Sequence, residues 1–455
     1  MSFRLWLPLA VFVVTSILQG SSVRAAEIEW KVGFGRTVIT PQEPVWLSGY
    51  SSRKAPAEGK VHDLFAKAVV FEGADKARLV LVTLDLGSVG EAITEAVSRR
   101  VARTHGIPRG SVILNVSHTH CAPEVAAERR VFHLLVDEEE AKLVKYIDWL
   151  EDRIVEAVDA AVSDLQPAEL NVSQSTADFG FNRRIPTPNG ITAGQNPEGV
   201  VDRSVPVLRV TSLGGKLRGI LFGYACHNTT LAFQLYCGDY AGFAQAELEK
   251  QNPGISAMFV MGCGGDMNPF PRHGPMGLEH ALTHGRSLAE AVRKALDGPQ
   301  RAVHGPLRVA YDVVTLELEP LPSRARLELD AQQGLATIPG RKARYLLGLL
   351  DRDGTIKLEQ TCPLHVARFG NELAFVAISG ETTVDYSLMC KRDLAGPFVW
   401  VAGYCDDVFA YLPSLRVLQE GGYEGRDGIA HQLTPAPFTP TVEERVMGTI
   451  RTLAR

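Results

Sequence analysis

Two histidines one residue apart close an apolar run: Ser111-Val112-Ile113-Leu114 leads into Asn115-Val116-Ser117-His118-Thr119-His120-Cys121. The run reads as a buried strand. Side chains alternate along a strand, so His118 and His120 are expected on the same side of the sheet. Two imidazoles at the mouth of an α/β sheet can bind a metal or exchange protons. They can equally be a hydrogen-bonded pair in a polar pocket, and a lone His-x-His does not separate the two.

Four further runs share this design, an apolar strand ending in polar or small residues. They end at Asp85, at His227, at Gly264-Gly265-Asp266-Met267-Asn268 and at Gly380-Glu381-Thr382-Thr383. Ligands of open α/β sheets bind at strand carboxyl ends. Singly, each run has a plain structural reading: Asp266 after two glycines suits a cap or turn, and Glu381 before two threonines suits a solvated loop end. Jointly, His, His, Asp and Glu at one topological position favour a site. Two or three nitrogens with a carboxylate suit Zn²⁺ with one position open for water. That is the equipment of a hydrolase working near neutral pH.

Positioning these residues requires strands alternating with helices. Strands are expected at 66–71, 77–85, 111–116, 205–210, 218–225 and 257–261, and helices at 90–105, 242–251 and 280–296. A long helix is expected over 137–165, with Leu143, Val144, Ile147, Leu150, Ile154, Val158 and Val162 at helical spacing. Beyond Gly298-Pro299 the pattern turns β-rich, with strands at 307–318, 358–369, 373–378 and 398–403. A charged stretch at 327–345 reads as helix and loop, and the glycine-rich 420–431 as a loop of the site. The expected class is α/β: a layered mixed sheet with flanking helices and a β-richer C-terminal part. One domain over 27–455 is expected, with a sub-boundary near 298–305.

Composition is ordinary for a globular chain of 455 residues: 45% hydrophobic, 22% charged, net charge −5. No basic stripe marks a nucleic-acid binder. Arg4, the apolar run 5–18 and Val23-Arg24-Ala25-Ala26 read as a secretory signal cleaved after Ala25 or Ala26, so a secreted or periplasmic protein is expected. No later stretch reaches spanning length, which leaves peripheral membrane contact open. Seven cysteines, Cys121, Cys226, Cys237, Cys263, Cys362, Cys390 and Cys405, form no zinc knuckle and read mostly as small buried residues, with one disulfide possible.

The order of these motifs resembles the neutral/alkaline, non-lysosomal ceramidases. The resemblance rests on Asn115-Val116-Ser117-His118-Thr119-His120, His227, Gly265-Asp266-Met267-Asn268-Pro269, Gly380-Glu381-Thr382-Thr383 and Phe409-Ala410-Tyr411. Leu47-Ser48-Gly49-Tyr50 and Val61-His62-Asp63 fit the same pattern, so most of the chain from 32 to 425 is covered. The resemblance implies a zinc-dependent amidase acting on an N-acyl bond, with a small-molecule or lipid-like N-acyl substrate. It implies His118, His227, Glu381 and Tyr411 as zinc ligands and His120 as the histidine that assists the chemistry. Arg183, in Phe181-Asn182-Arg183, would contact the substrate, and Tyr423 would be a second site tyrosine. Asp85 is expected to orient a ligand histidine. On residue type alone, Tyr411 could be core, and one of Arg183 and Arg184 could be a surface charge.

The chain departs from the family pattern at Asn268, where the family carries a serine. An amide cannot act as a covalent nucleophile, so a serine mechanism is excluded there and attack by metal-activated water survives. The family's trailing immunoglobulin-like domain is expected to be missing, because the sequence ends soon after Tyr423. Two other readings stand beside the amidase: a zinc esterase or amidase on a polar, non-lipid substrate, and a binding protein that keeps the metal without catalysis. A deep apolar slot would favour acyl chains, and a polar cleft would argue against them.

Overall fold

The computed structural model describes residues 1–2, 29–126, 130–394, 396 and 398–455. The apolar run 5–18 and the expected cleavage site lie outside the described residues.

A large sheet runs in the order Ser256–Met261, Leu217–Tyr224, Ser204–Ser212, Gln166–Thr176, Trp30–Val38, Phe65–Gly73, Arg78–Leu84, Val112–Val116, with Arg301–Val303 paired to Gln166–Thr176. Its middle is antiparallel, and the pair at each end is parallel. Each parallel pair requires a crossover. Helix Glu91–His105 supplies one and helix Asp239–Gln251 the other.

The strands read as near-continuous apolar runs because both faces of the sheet are covered. Along Arg78–Leu84, Val80, Val82 and Leu84 enter the core under the helices. Leu79 and Leu81 enter a second core against another sheet. That second sheet orders Leu307–Glu317, Glu359–Phe369, Leu373–Ile378, Phe398–Ala402, and Phe369 seals the two sheets by packing on Trp30 and Phe71 at 5.4 and 5.1 Å. Helices Val384–Asp393 and Val442–Leu453 cover its outer face. The result is helices, sheet, sheet, helices: the layered mixed α/β class expected from the pattern.

The long helix is Asp137–Ser163, its first turn carrying four acidic residues that complement the helix dipole. It lies so close to Trp30–Val38 that a Cβ on Gly33 or Gly35 would meet the carbonyl of Ala161 or Ala157 at 2.0 Å. Val144, assigned to the apolar stripe from spacing, is exposed. The charged stretch forms two helices, Arg324–Ala331 and Ile338–Asp353, and the glycine-rich segment forms two short helical turns, Gly422–Gly425 and Asp427–His431. A hairpin, Gly180–Thr187 with Gly190–Asn196, has no counterpart in the expected elements; its polar residues hide a strand signal. All seven cysteines are buried and free, so none forms a disulfide among the described residues.

The large sheet curls until its two ends meet. Met261 N–H donates to Asn115 Oδ1 at 2.8 Å, and Asn115 Nδ2 donates to Gly403 O at 2.7 Å. The segment after Phe398–Ala402 fills the seam: Gly403 N–H donates to Met261 O at 3.1 Å and Asp406 N–H to Leu114 O at 2.8 Å. Strand ends far apart in sheet order therefore share one rim.

Candidate metal centre

Three side chains converge on that rim. Ligand atoms of His118, His227 and Glu381, all buried, lie within 4.8 Å of one another. His118 Nε2 is 3.4 Å and His227 Nε2 3.5 Å from Glu381 Oε2. Each ring is held by its other nitrogen: His118 Nδ1 donates to Gly87 O at 2.6 Å and His227 Nδ1 to Gly264 O at 2.7 Å. A carbonyl only accepts, so both Nδ1 atoms carry the proton and both Nε2 atoms of the neutral rings present lone pairs. Two nitrogen lone pairs and a carboxylate aimed at one point repel unless a cation lies between them. The donor set therefore fits a divalent ion with mixed nitrogen and oxygen ligands.

Local structure explains the placement. Val112–Val116 ends before His118, whose backbone is left-handed at φ 60°. The two imidazoles, 4.8 Å apart between centroids, thus meet through a turn rather than through strand alternation. Glu381 and Tyr411 are direct neighbours in a short parallel pair, Glu381–Thr382 with Tyr411–Leu412, so both point to one side. Tyr411 stacks on His227, its hydroxyl 3.5 Å from His227 Nε2. Tyr411 is therefore at the site and not in the core.

His120 Nε2 lies 3.2 Å from His118 Nε2. Burial first, then the neighbouring His118 and His227, push its pKa well below the ordinary value. Gly49 makes room for it: at φ 90°, a Cβ there would fall 2.1 Å from the His120 ring. Arg183 Nη2 donates to Tyr411 Oη at 3.0 Å, and Nη1 lies 3.4 Å from both His227 Nε2 and Asn268 Oδ1. The hairpin pairs with Met267–Pro269, which brings Phe181 opposite Asn268. Tyr423 packs edge-on against Tyr411 at 5.4 Å and is partly exposed.

Asp266 acts on the backbone around the site. Its oxygens accept from Asn182 Nδ2 at 3.0 Å and Val384 N–H at 2.8 Å, and burial raises its pKa to about 6. Asp85 is placed elsewhere than expected: it accepts from Phe65 N–H at 2.9 Å and Gln245 Nε2 at 3.3 Å, whereas His118 and His227 are oriented by backbone carbonyls. The strand-end pattern cannot distinguish a carboxylate from a carbonyl as the orienting acceptor.

Three groups were not singled out from sequence. Glu424 binds Arg183 and Arg184 at 2.6 Å each, so Arg184 is a buried ion-pair partner and not a surface charge. Its signal was adjacency to Tyr423. Tyr404 packs its ring 4.6 Å from His118, and its buried hydroxyl has no hydrogen-bond partner among the described residues; it follows a sixth strand end, Phe398–Ala402. Arg272 lines the cavity and had no motif to mark it.

The cavity above these residues measures about 350 Å³. Its wall holds five histidines, two arginines, serines and tyrosines, with Phe132 and no aliphatic side chain.

A family model, the N-terminal part of the neutral/alkaline non-lysosomal ceramidases, matches residues 30–307, more than half of the chain. The chain belongs to that family. It is similar to the crystal structure of neutral ceramidase from Pseudomonas aeruginosa, at TM-score 0.73 and 20% identity over 94% of this chain and 74% of that one. A ceramidase complexed with C2 is similar at TM-score 0.72 and 19% identity, covering 94% of this chain and 75% of the other. No curated protein matches the sequence significantly. Family and fold together make this a ceramidase-like hydrolase with a site able to hold a metal.

Proposed function

We propose that the protein is an exported, zinc-dependent amidase that cleaves an N-acyl bond by attack of water. The observation that supports it best is the convergence of His118, His227 and Glu381, with both Nδ1 atoms committed to carbonyls and both Nε2 atoms turned toward the carboxylate. In this reading those three residues and Tyr411 hold the ion. When bound, zinc supplies a Lewis acid that polarises the scissile carbonyl and makes water nucleophilic near neutral pH.

The chain's own groups do the rest. His120 Nε2 takes a proton from the attacking water and returns it to the departing nitrogen. Arg183, held by Glu424, offers guanidinium protons to the oxygen on which negative charge develops. Tyr423 stands at the open side of Tyr411, where its hydroxyl can donate to the substrate. Asn268 contributes only as an acceptor for Arg183.

Family membership supports a lipid-like N-acyl substrate. The cavity wall supports the second reading, a short or polar amide, because it presents no aliphatic side chain to an acyl tail. The full set of His120, Arg183 and Tyr423 beside the donors speaks against a merely binding homologue. Export rests on the N-terminal apolar run; no described helix is long and apolar enough to cross a membrane.

The test is metal analysis of the purified chain, followed by amine release from N-acyl compounds graded in chain length, before and after chelation. Stoichiometric zinc and chelator-sensitive amine release are expected. Activity untouched by complete metal removal would overturn the reading.

A further inference from the structure

The cavity holds a second guanidinium that the mechanism above leaves idle. Arg272 lies on a pinned segment: Phe270 N–H donates to Phe179 O at 2.9 Å, His284 Nε2 donates to Pro271 O at 2.8 Å, and His273 N–H donates to Thr230 O at 2.8 Å. The guanidinium itself is tethered by Nη1 to Thr229 Oγ1 at 3.2 Å. Arg183 has Glu424 at 2.6 Å, whereas Arg272 forms no ion pair among the described residues. Half-buried, with another cation lining the same small space and the neutral Thr229 hydroxyl as its side-chain hydrogen-bond partner, Arg272 carries a desolvation cost that no ion pair among the described residues offsets. Burial is the main cause that lowers its pKa, and Arg183 adds to it. A rigidly held, uncompensated guanidinium facing a cavity is complementary to a planar anion, which it can bind through two parallel hydrogen bonds.

Its side of the cavity identifies which half of the substrate carries that anion. Tyr50 packs edge-on to His120 at 4.7 Å and to His273 at 5.8 Å, its hydroxyl 3.1 Å from His273 Nε2. Arg272 is therefore on the flank of His120, and Arg183 is on the flank of Tyr411. We propose that Arg272 receives a carboxylate on the amine half of the substrate, so that the compound cleaved is an N-acylated amino acid or a close relative. The placement of the scissile bond rests on the amidase reading through His120; the anion subsite does not. In the reaction, water adds to the acyl carbon and the C–N bond breaks. The acyl fragment leaves as a carboxylic acid, and the nitrogen takes the proton held at His120 and leaves as the amine of an amino acid. No further reactant is needed.

N-hexanoylglycine and N-hexanoylglycinamide differ only in carboxylate against carboxamide and make the test. With metal-loaded wild type, kcat/KM is expected to be about 10- to 100-fold higher for the acid, mainly through KM, the scale of one charge-assisted pair. Arg272→Gln should bring that ratio close to one, and Arg272→Lys should retain part of it. Equal rates for the two compounds in wild type, a comparison that needs no variant, would overturn the proposal. So would an unchanged ratio in R272Q. If neither compound is hydrolysed, calorimetric binding to chelated protein still decides. Acid bound about tenfold or more tightly than amide, with the difference lost in R272Q, keeps the anion subsite and removes the amidase reading. Equal binding removes the subsite.

Discussion

At the scale of single residues, the site separates groups that would hold an ion from groups that would move protons. His227 and Glu381 are ligands in the proposed reading, and removing either leaves the ion with one donor fewer at a site of few donors. We expect His227→Ala and Glu381→Ala to lose metal and activity together, read by metal analysis alongside amine release. His120→Ala should keep most of the metal and lower kcat by about 10²- to 10⁴-fold, the range of a positioned acid–base group. Full zinc occupancy in H227A would refute the ligand assignment.

At the scale of elements, two connections carry the site. One is the Gly422–Gly425 turn, whose Glu424 joins Arg183 and Arg184 to a segment more than two hundred residues away. Arg184 also pairs with Glu420 at 3.0 Å, so removing Glu424 strands Arg183, and breaking a buried pair in this way costs about 3–5 kcal/mol. Glu424→Ala should therefore lower stability by that amount in denaturant titration, and kcat/KM by about tenfold, because Arg183 loses its anchor. The other connection is the segment 403–406, which fills the seam of the large sheet. Asp406 accepts from Leu114 N–H at 2.9 Å and lies 2.7 Å from His365 and 3.1 Å from Arg109. Burial works to raise its pKa, but His365, Arg109 and the Leu114 N–H outweigh that and hold it below the ordinary 3.8. A carboxyl whose folded value is depressed gives stability that is complete above its unfolded value and lost as pH falls through the folded one. Wild type should lose melting temperature as pH drops from about 5 to 3, and Asp406→Asn should lose less over that interval while starting lower.

At the scale of the whole molecule, the two sheets share a core through Trp30, Phe71 and Phe369, and Arg301–Val303, inside the expected sub-boundary, is a strand of the first sheet. We propose that the chain from 27 onward unfolds as one unit. A single calorimetric transition, equal in calorimetric and van't Hoff enthalpy, is the expected result; two separable transitions near equal size would place a boundary there.

Much of this was legible because apolar periodicity and strand-end polarity are local properties. The runs ending at His118, His227 and Glu381 announce themselves, as does Tyr411 through the resemblance. The Gly180–Thr187 hairpin was hidden because its alternation is polar, and Arg272 because a lone arginine has no pattern. What the amino-acid order determined by itself was the more strongly apolar strands and helices, without Trp30–Val38, Gln166–Thr176 or the helices Val384–Asp393 and Val442–Leu453, and the chemistry available at the strand ends. What only the tertiary structure decided was that the sheet curls and its edge strands meet through Asn115, bringing those ends together. It also decided that carbonyls rather than Asp85 orient the imidazoles, and that the cavity wall is polar. Such outcomes depend on which side chains arrive from distant segments, and pairings across hundreds of residues leave no periodic trace in a single chain.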